Sequence, residues 1–442
     1  MYADTAPEKE ACVSTAANGL WNRLPVLYTC LPFSLEEPLV SKSQPQGSSI
    51  VFEPRSGETW RDPFPMYKAL RDHDPVHMFE NDRGEFWALS RFKDVFAAAV
   101  DAKTFSSAQG LTIAYGEMEQ LDLESPIVMM DPPDHTALRK LAIKNFTPKQ
   151  VMAIEPMIRE FVVERVERLR EMGEGDVVAE LFKPLPSLVV GHFLGVPEAD
   201  RALFDGWTDS TVAANAGGDI TSAGPVLAEM IAFFSDLMER VRKNPGDDAI
   251  SALVHARPGG KEVSPAWILG FAFTMVTGGN DTTTGLLSGA AELMTKNPDQ
   301  QKLLVEEPER IPGAIEEFLR MTSPAQGLAR TTTRDITIEG KTIPKDRKVM
   351  LLYASANLDE REFGPDAGDC DITRKMRRHL ALSYGPHHCI GAATVRLQSR
   401  IALEELIARC PDFTVDFAKG EFAGGNYVRR YISMPFSARG AL

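Results

Sequence analysis

Between Pro265 and Ala291 the chain carries one charged side chain, Asp281. Ser264 can cap a helix, Pro265 suits its first position, and Asn297-Pro298 ends it. The 32 residues between would make about 48 Å of helix at ~1.5 Å per residue. A helix apolar on all sides is buried, so this one crosses a domain interior. The carboxylate inside it must be paired, protonated or turned to water. Asp281 is therefore a functional group or the partner of a distant base. Its surroundings, Gly278-Gly279-Asn280-Asp281-Thr282-Thr283-Thr284-Gly285, are poor helix formers. Two readings stand. Residues 278–280 form a loop with Asp281 capping a second helix, or one helix runs through with threonine hydroxyls supplementing its backbone bonds. A flat ligand against Gly278 and Gly279 would explain the absent side chains.

Most of the remaining pattern is helical. Residues 59–105 read as helix, strands and helix, the first helix running from Asp62-Pro63 through Met66, Leu70 and Val76. Residues 134–270 are mostly helical by period, and Asp335–Leu352 alternates around a Gly-Lys turn at 340–341. The expected class is mainly α with small β-sheets. Residues 1–49 read as an N-terminal extension and 50–442 as the main fold. The extension is not a signal peptide, because acids precede its apolar part. No run of apolar residues is long enough to span a membrane.

A net charge of −14 over 442 residues argues against a nucleic-acid partner. The five cysteines, at 12, 30, 370, 389 and 410, have neither the number nor the spacing of a disulfide framework. They point to a reducing, cytoplasmic setting. Cys389 stands apart from the others. It lies in Leu382-Ser383-Tyr384-Gly385-Pro386-His387-His388-Cys389-Ile390-Gly391-Ala392, before a helical pattern whose N-terminal amides would favour thiolate. A thiolate there could ligate a metal, attack a carbonyl or bind heme iron; a buried, inert thiol is the ordinary alternative. Zinc is disfavoured, since contiguous His387, His388 and Cys389 cannot easily converge on one ion and no C-x-x-C exists. Glu317 and Arg320 are three residues apart on a proline-initiated helix and share a face.

Together these segments resemble the cytochrome P450 family. The cysteine loop is similar to F-x-x-G-x-H-x-C-x-G-A at Gly385, His387, Cys389, Gly391 and Ala392. Gly278–Thr283 is similar to A/G-G-x-D/E-T-T, and Glu317 with Arg320 to E-x-x-R. Met130-Asp131-Pro132-Pro133-Asp134-His135 through Arg139 resembles D-P-P-x-H-x-x-x-R. The similarity runs from about residue 59 to 438. Residues 106–111 and 275–282 are worded most like soluble mycobacterial members.

The resemblance implies a single triangular domain with a long central helix and b-type heme (iron protoporphyrin IX). Cys389 would be the metal ligand, and Gly278, Gly385 and Gly391 would flank the cofactor. His135, Arg139, Arg330 and His387 would be four potential cations meeting its two propionates. Asp281 and Thr282 would be the catalytic acid–alcohol pair, and Glu317 and Arg320 a structural pair. The implied activity is a monooxygenase using O2, with electrons from NAD(P)H through ferredoxin reductase and ferredoxin. A peroxide-driven peroxygenase would normally lack the acid–alcohol pair. A heme sensor or carrier would not need a proton relay. Two positions depart from the pattern. Leu382 replaces the phenylalanine, and no arginine stands where relatives often complete the Glu317–Arg320 network, for which Arg374 is the candidate.

Arg374, Lys375, Arg377 and Arg378 precede the cysteine loop, Arg396 and Arg400 follow it, and Lys140 and Lys144 extend the Arg139 segment. This is a basic patch suited to an acidic ferredoxin, or else a solvated face. Candidate substrate walls are residues 109–128, 213–218, Thr274, Gly278, 325–328 and 424–427. They are mostly small or apolar, so a hydrophobic small molecule is expected. Glu117, Glu119, Asp122 and Glu124 disfavour an anionic one.

Overall fold

The structure is a computed structural model that describes residues 52–81, 84–116, 124–201, 203–204, 206–207 and 224–439. The extension expected over 1–49 lies outside these residues, as do Glu117, Glu119, Asp122 and 213–218. One continuous helix spans Pro265–Lys296, so the alternative of a loop at 278–280 does not hold. The hydroxyls of Thr282, Thr283 and Thr284 accept no loss of helix; each bonds a carbonyl four residues back, on Gly278, Gly279 and Asn280, at 2.9–3.0 Å. Trp267, Phe271, Val276, Leu287 and Met294 bury the helix in the main core. Around it pack the helices Pro184–Phe193, Gly224–Lys243, Ile311–Thr322 and Ala392–Arg409. A different face, marked by Thr274, Gly278 and Thr282 at intervals of one turn, is left partly or fully exposed.

Beside the helices lies a five-stranded sheet in the spatial order Val76–Asn81, Gly84–Leu89, Lys348–Leu351, Leu328–Thr332, Phe105–Ser106. Three smaller sheets complete the β structure among the described residues. Two local expectations are corrected. The first helix is Phe64–His73, and Val76 begins a strand instead, because Pro75 disfavours helical backbone in the residue before it. The hairpin turn falls on Glu339-Gly340, both at positive φ, as a two-residue primed turn requires, and Lys341 already belongs to the strand. No helix among the described residues is long and apolar enough to cross a membrane.

Candidate active site

The Cys389 loop is held by backbone. Cys389 N–H donates to the Leu382 carbonyl at 2.9 Å, and the following helix starts at Ala392. Gly385 has φ +71°, and a Cβ there would meet the Ala99 carbonyl at 2.8 Å. Its lack of a side chain thus serves contact with the helix Phe92–Val100. A Cβ on Gly391 would sit 3.8 Å from the Cys389 sulfur, so this glycine keeps the neighbourhood of the sulfur open. Burial pushes the Cys389 thiol up, against the Gly391 amide, Arg139 and Arg396, which favour thiolate. The helix-terminal amide effect expected from the sequence is present but is outweighed by desolvation. Such a sulfur becomes a thiolate against a directly bound cation.

A cluster of bases surrounds the loop. The rings of His135 and His387 lie 4.3 Å apart. His387 Nε2 pairs with the Ser107 hydroxyl at 3.1 Å, and Ser107 N–H in turn donates to Asp131 at 2.9 Å. Burial, together with Arg330, His135 and Arg139, pushes His387 down to about 3. Burial and Arg139 lower His135. In this setting burial favours the neutral form of both imidazoles, in which each can still serve as a hydrogen-bond donor. Arg139 donates to the His388 carbonyl and Arg330 to the Ala329 carbonyl at 2.7 Å. Neither meets a carboxylate among the described residues, although Arg330 is only 3% exposed. Buried His135 Nδ1 has no hydrogen-bond partner.

Gly278 and Gly279 have different reasons to be glycine. A Cβ on Gly279 would lie 2.6 Å from Val190, whereas one on Gly278 would meet nothing within 4 Å. Only Gly278 faces open space, so the flat-ligand reading keeps one glycine and loses the other. Asp281, buried, forms an ion pair with Arg430 at 3.0 Å. Thr282, one residue on, lies on the partly exposed face. Thr283 and Gln398 of the helix after Cys389 approach to 3.5 Å. The sequence reading missed Arg430, and no local pattern around it announces the role.

Glu317 grips Arg320 through both oxygens at 2.6 and 2.8 Å. Arg374 Nε lies 3.3 Å from Glu317, so the position left empty by the missing arginine is filled. Arg320 also donates to the carbonyls of Asn357 and Ala367 at 2.9 and 2.6 Å. Three of the candidate wall segments come together. Ala325 bridges Val428, Gln326 N–H donates to the Tyr427 carbonyl, and Ile113 N–H donates to the Tyr427 hydroxyl at 3.1 Å. The basic patch is smaller than the sequence suggests. Arg374, Arg378, Arg396 and Arg400 all face carboxylates. Lys140, Lys144, Lys375 and Arg377 are exposed, with no such partner among the described residues.

Heme fits these residues. It would bring iron to the Cys389 sulfur, carboxylates to two arginines that lack them, an acceptor for His135, and a flat face to the space over Gly278.

A family model described as Cytochrome P450 matches residues 226–419. Over 396 residues the chain is 56% identical to Cytochrome P450 130 of Mycobacterium tuberculosis, covering 88% of this chain and 98% of that one. It is 34% identical to the Vitamin D(3) 25-hydroxylase of Pseudonocardia autotrophica, over 86% of this chain and 94% of that enzyme. The solved structure of cytochrome P450 CYP109Q5 from Chondromyces apiculatus matches with a TM-score of 0.78 at 33% identity, covering 87% of this chain and 97% of that one.

Proposed function

The chain belongs to the cytochrome P450 family, and from that premise we propose that Cys389 ligates heme iron in a cytoplasmic enzyme that oxygenates a neutral, hydrophobic small molecule. The protein is a heme b monooxygenase. The reaction class balances as substrate plus O2, two electrons and two protons giving hydroxylated product and water. When bound, heme supplies the redox centre at which O2 is activated and one oxygen atom delivered. The observation carrying the ligand assignment is the Cys389 sulfur itself. Cys389 is partly buried, its backbone is tied to the Leu382 carbonyl, and Gly391 leaves the space beside the sulfur without a side chain. His135, Arg139 and Arg330 would anchor the propionates, the arginines by charge and the histidine by its unpartnered nitrogen. His387 would hold that cluster in place through Ser107.

Asp281 and Thr282 would handle the protons. Thr282, on the exposed stripe with Gly278, would present its hydroxyl to the reacting side. Asp281, paired with Arg430, would take protons from solvent and pass them towards that hydroxyl. The apolar walls at 325–328 and 424–427 support a hydrophobic guest. One relative's name, vitamin D3 25-hydroxylase, is consistent with a neutral one. Electrons would arrive from NAD(P)H through ferredoxin reductase and ferredoxin, docking on Lys140, Lys144, Lys375 and Arg377.

The test is the reduced carbon-monoxide spectrum. Wild-type protein is expected to show the Soret position of a heme-thiolate, and Cys389→Ser to lose it while Cys370→Ser keeps it. A Cys389→Ser protein with an unchanged spectrum would overturn the ligand assignment. Turnover with ferredoxin and reductase, against turnover with peroxide alone, tests the electron source.

A further inference from the structure

Of the candidate wall over 109–128, residues 109–116 and 124–128 are described. The second piece meets the central helix, where a Cβ on Gly270 would lie 3.5 Å from Pro126 Cα. Gly270 is one turn before Thr274, so it begins the stripe that continues through Gly278 and Thr282. The first piece is tied to the five-stranded sheet and to the turn 424–427, at every second residue. The Gln109 carbonyl accepts from Lys348 Nζ at 2.6 Å, and the Leu111 carbonyl accepts the Ala329 N–H at 2.7 Å. Ile113 N–H donates to the Tyr427 hydroxyl at 3.1 Å. The Tyr115 hydroxyl accepts the Lys348 N–H at 3.2 Å and donates to the Glu85 carbonyl.

Two of these ties come from Lys348, through different groups. Its side chain holds Gln109 and its main chain holds Tyr115, so one residue fixes both ends of the segment 109–115. The strand Lys348–Leu351 lies between Gly84–Leu89 and Leu328–Thr332, and Lys348 is only 1% exposed. Lysine is almost never buried this far unless its ammonium is engaged. Desolvating that ammonium costs free energy that an apolar side chain of the same volume would not. An apolar side chain, however, could not hold the Gln109 carbonyl. Between the two held ends, Ile113 lines one crevice with Gln326, Gly327 and Tyr427. The position of the segment therefore sets how three of the candidate walls meet.

We propose that Lys348 is a positioning residue that sets substrate specificity: by holding Gln109 and Tyr115 it keeps the segment 109–115 as a fixed wall against which a bulky hydrophobic guest packs. The proposal rests on the reading of 109–128 as part of the substrate site. A wall that is already ordered costs nothing further when the guest arrives, whereas a loosened one must be ordered by binding. A small guest that does not reach the wall gains nothing from it.

The probes are imidazole and 4-phenylimidazole, titrated into the holoprotein and followed by the Soret shift that nitrogen ligation of iron produces. Both bind through the same ring, and only the phenyl group extends towards the walls. Lys348→Met is expected to weaken 4-phenylimidazole about threefold to tenfold, the cost of ordering a wall side chain again, and to leave imidazole within about twofold. Tyr115→Phe, which removes neutral hydrogen bonds, should act in the same direction and less strongly. Hydrogen exchange on the same proteins should show the amides of 109–116 exchanging about tenfold faster in Lys348→Met, with the helix Ile311–Thr322 unchanged. A ratio of the two affinities that stays the same, or moves in favour of 4-phenylimidazole, overturns the proposal. So does an equal loss for both probes, which would mark a general effect on the fold. If Lys348→Met takes up no heme, Tyr115→Phe decides by the same ratio. Faster exchange with an unchanged ratio fails the reading of 109–128 as a substrate wall, whereas unchanged exchange fails the role of Lys348.

Discussion

Two of the buried carboxylate–guanidinium pairs among the described residues differ in what surrounds them. Glu317 and Arg320, with side chains 1% and 0% exposed, tie a helix to the chain that leads into the cysteine loop. Arg320 reaches the carbonyls of Asn357, Ala367 and Asp369, and Glu317 holds the Asp371 N–H at 3.1 Å and Arg374. Asp281 and Arg430, at 8% and 3%, join the central helix to the C-terminal strand region. Beside them on that helix lies the exposed stripe of Gly278 and Thr282. Burial alone does not tell a structural pair from a working one. What distinguishes them is what the guanidinium does beyond its carboxylate, and what the carboxylate's neighbours face.

Removing one member of the first pair should produce the largest effect. Glu317→Gln leaves Arg320 charged and buried, at a cost of about 3–5 kcal/mol. The expected outcome in urea melts and heme-uptake assays is little folded holoprotein. The double variant Glu317→Gln with Arg320→Gln should not recover, because three backbone carbonyls lose their charged donor as well. A stable, heme-loaded double variant would break the contrast between the two pairs.

The same cycle on the second pair should separate folding from chemistry. Asp281→Asn is expected to lower turnover about 100-fold, within the range for a lost proton-transfer group. It should also cost stability, since the buried ion pair with Arg430 is lost. Adding Arg430→Gln should restore stability to within about 1 kcal/mol of wild type, measured by thermal melts, without restoring turnover. Recovery of turnover in the double variant would show that Asp281 matters only as a counter-ion. Thr282→Ala should fold normally and keep consuming NAD(P)H, with more of it released as hydrogen peroxide and less as product.

The first pair was readable from sequence because its members share a helix face three residues apart. Asp281 was readable as a problem, one charge in a long neutral segment, but its solution was not. Arg430 belongs to a distant strand region and nothing in its own neighbourhood marks it. The two adjacent glycines show the same limit. Gly278 and Gly279 are identical in sequence, yet one avoids Val190 and the other borders open space. Helix ends marked by Ser264-Pro265 and Asn297-Pro298 were legible because caps act locally. The contacts of Glu316 with Arg396 and His379 were not, since they join three elements and leave no periodicity.

A third carboxylate, Glu316, sharpens the comparison through pH. Burial would raise its carboxyl, but Arg396 and His379 outweigh that and hold it at about 2, below its ordinary 4.5. A depressed folded-state value means the stabilisation is fully present above about pH 4.5 and is lost as pH falls towards 2. With the side chain 31% exposed, about 2 kcal/mol is expected after allowing for screening. The stability gap between wild type and Glu316→Gln in urea melts should therefore be widest at neutral pH and close between pH 4.5 and 2. A gap independent of pH across that window would mean that the charge of Glu316 contributes nothing and only its shape does.

The smallest effects on the fold should come from charges with no carboxylate at all. Lys375 and Arg377 are exposed beside residues whose charges are already engaged: Arg374 with Glu317 and Asp366, and Arg378 with Glu362 while stacked over Phe96 at 4.3 Å. Lys375→Glu with Arg377→Glu should change stability by no more than about 0.5 kcal/mol and leave the carbon-monoxide spectrum unaltered. If an acidic ferredoxin docks here, the same variant should slow electron transfer and flatten its salt dependence, because steering by exposed charges is screened over about 8–10 Å at moderate ionic strength. Arg374→Gln and Arg378→Gln should do the reverse, lowering stability more than they alter salt dependence. Identical rates and salt slopes in wild type and the Lys375→Glu, Arg377→Glu protein would remove this surface from the electron path. The cations that survive the count of engaged charges would then be no more than a solvated edge of the fold.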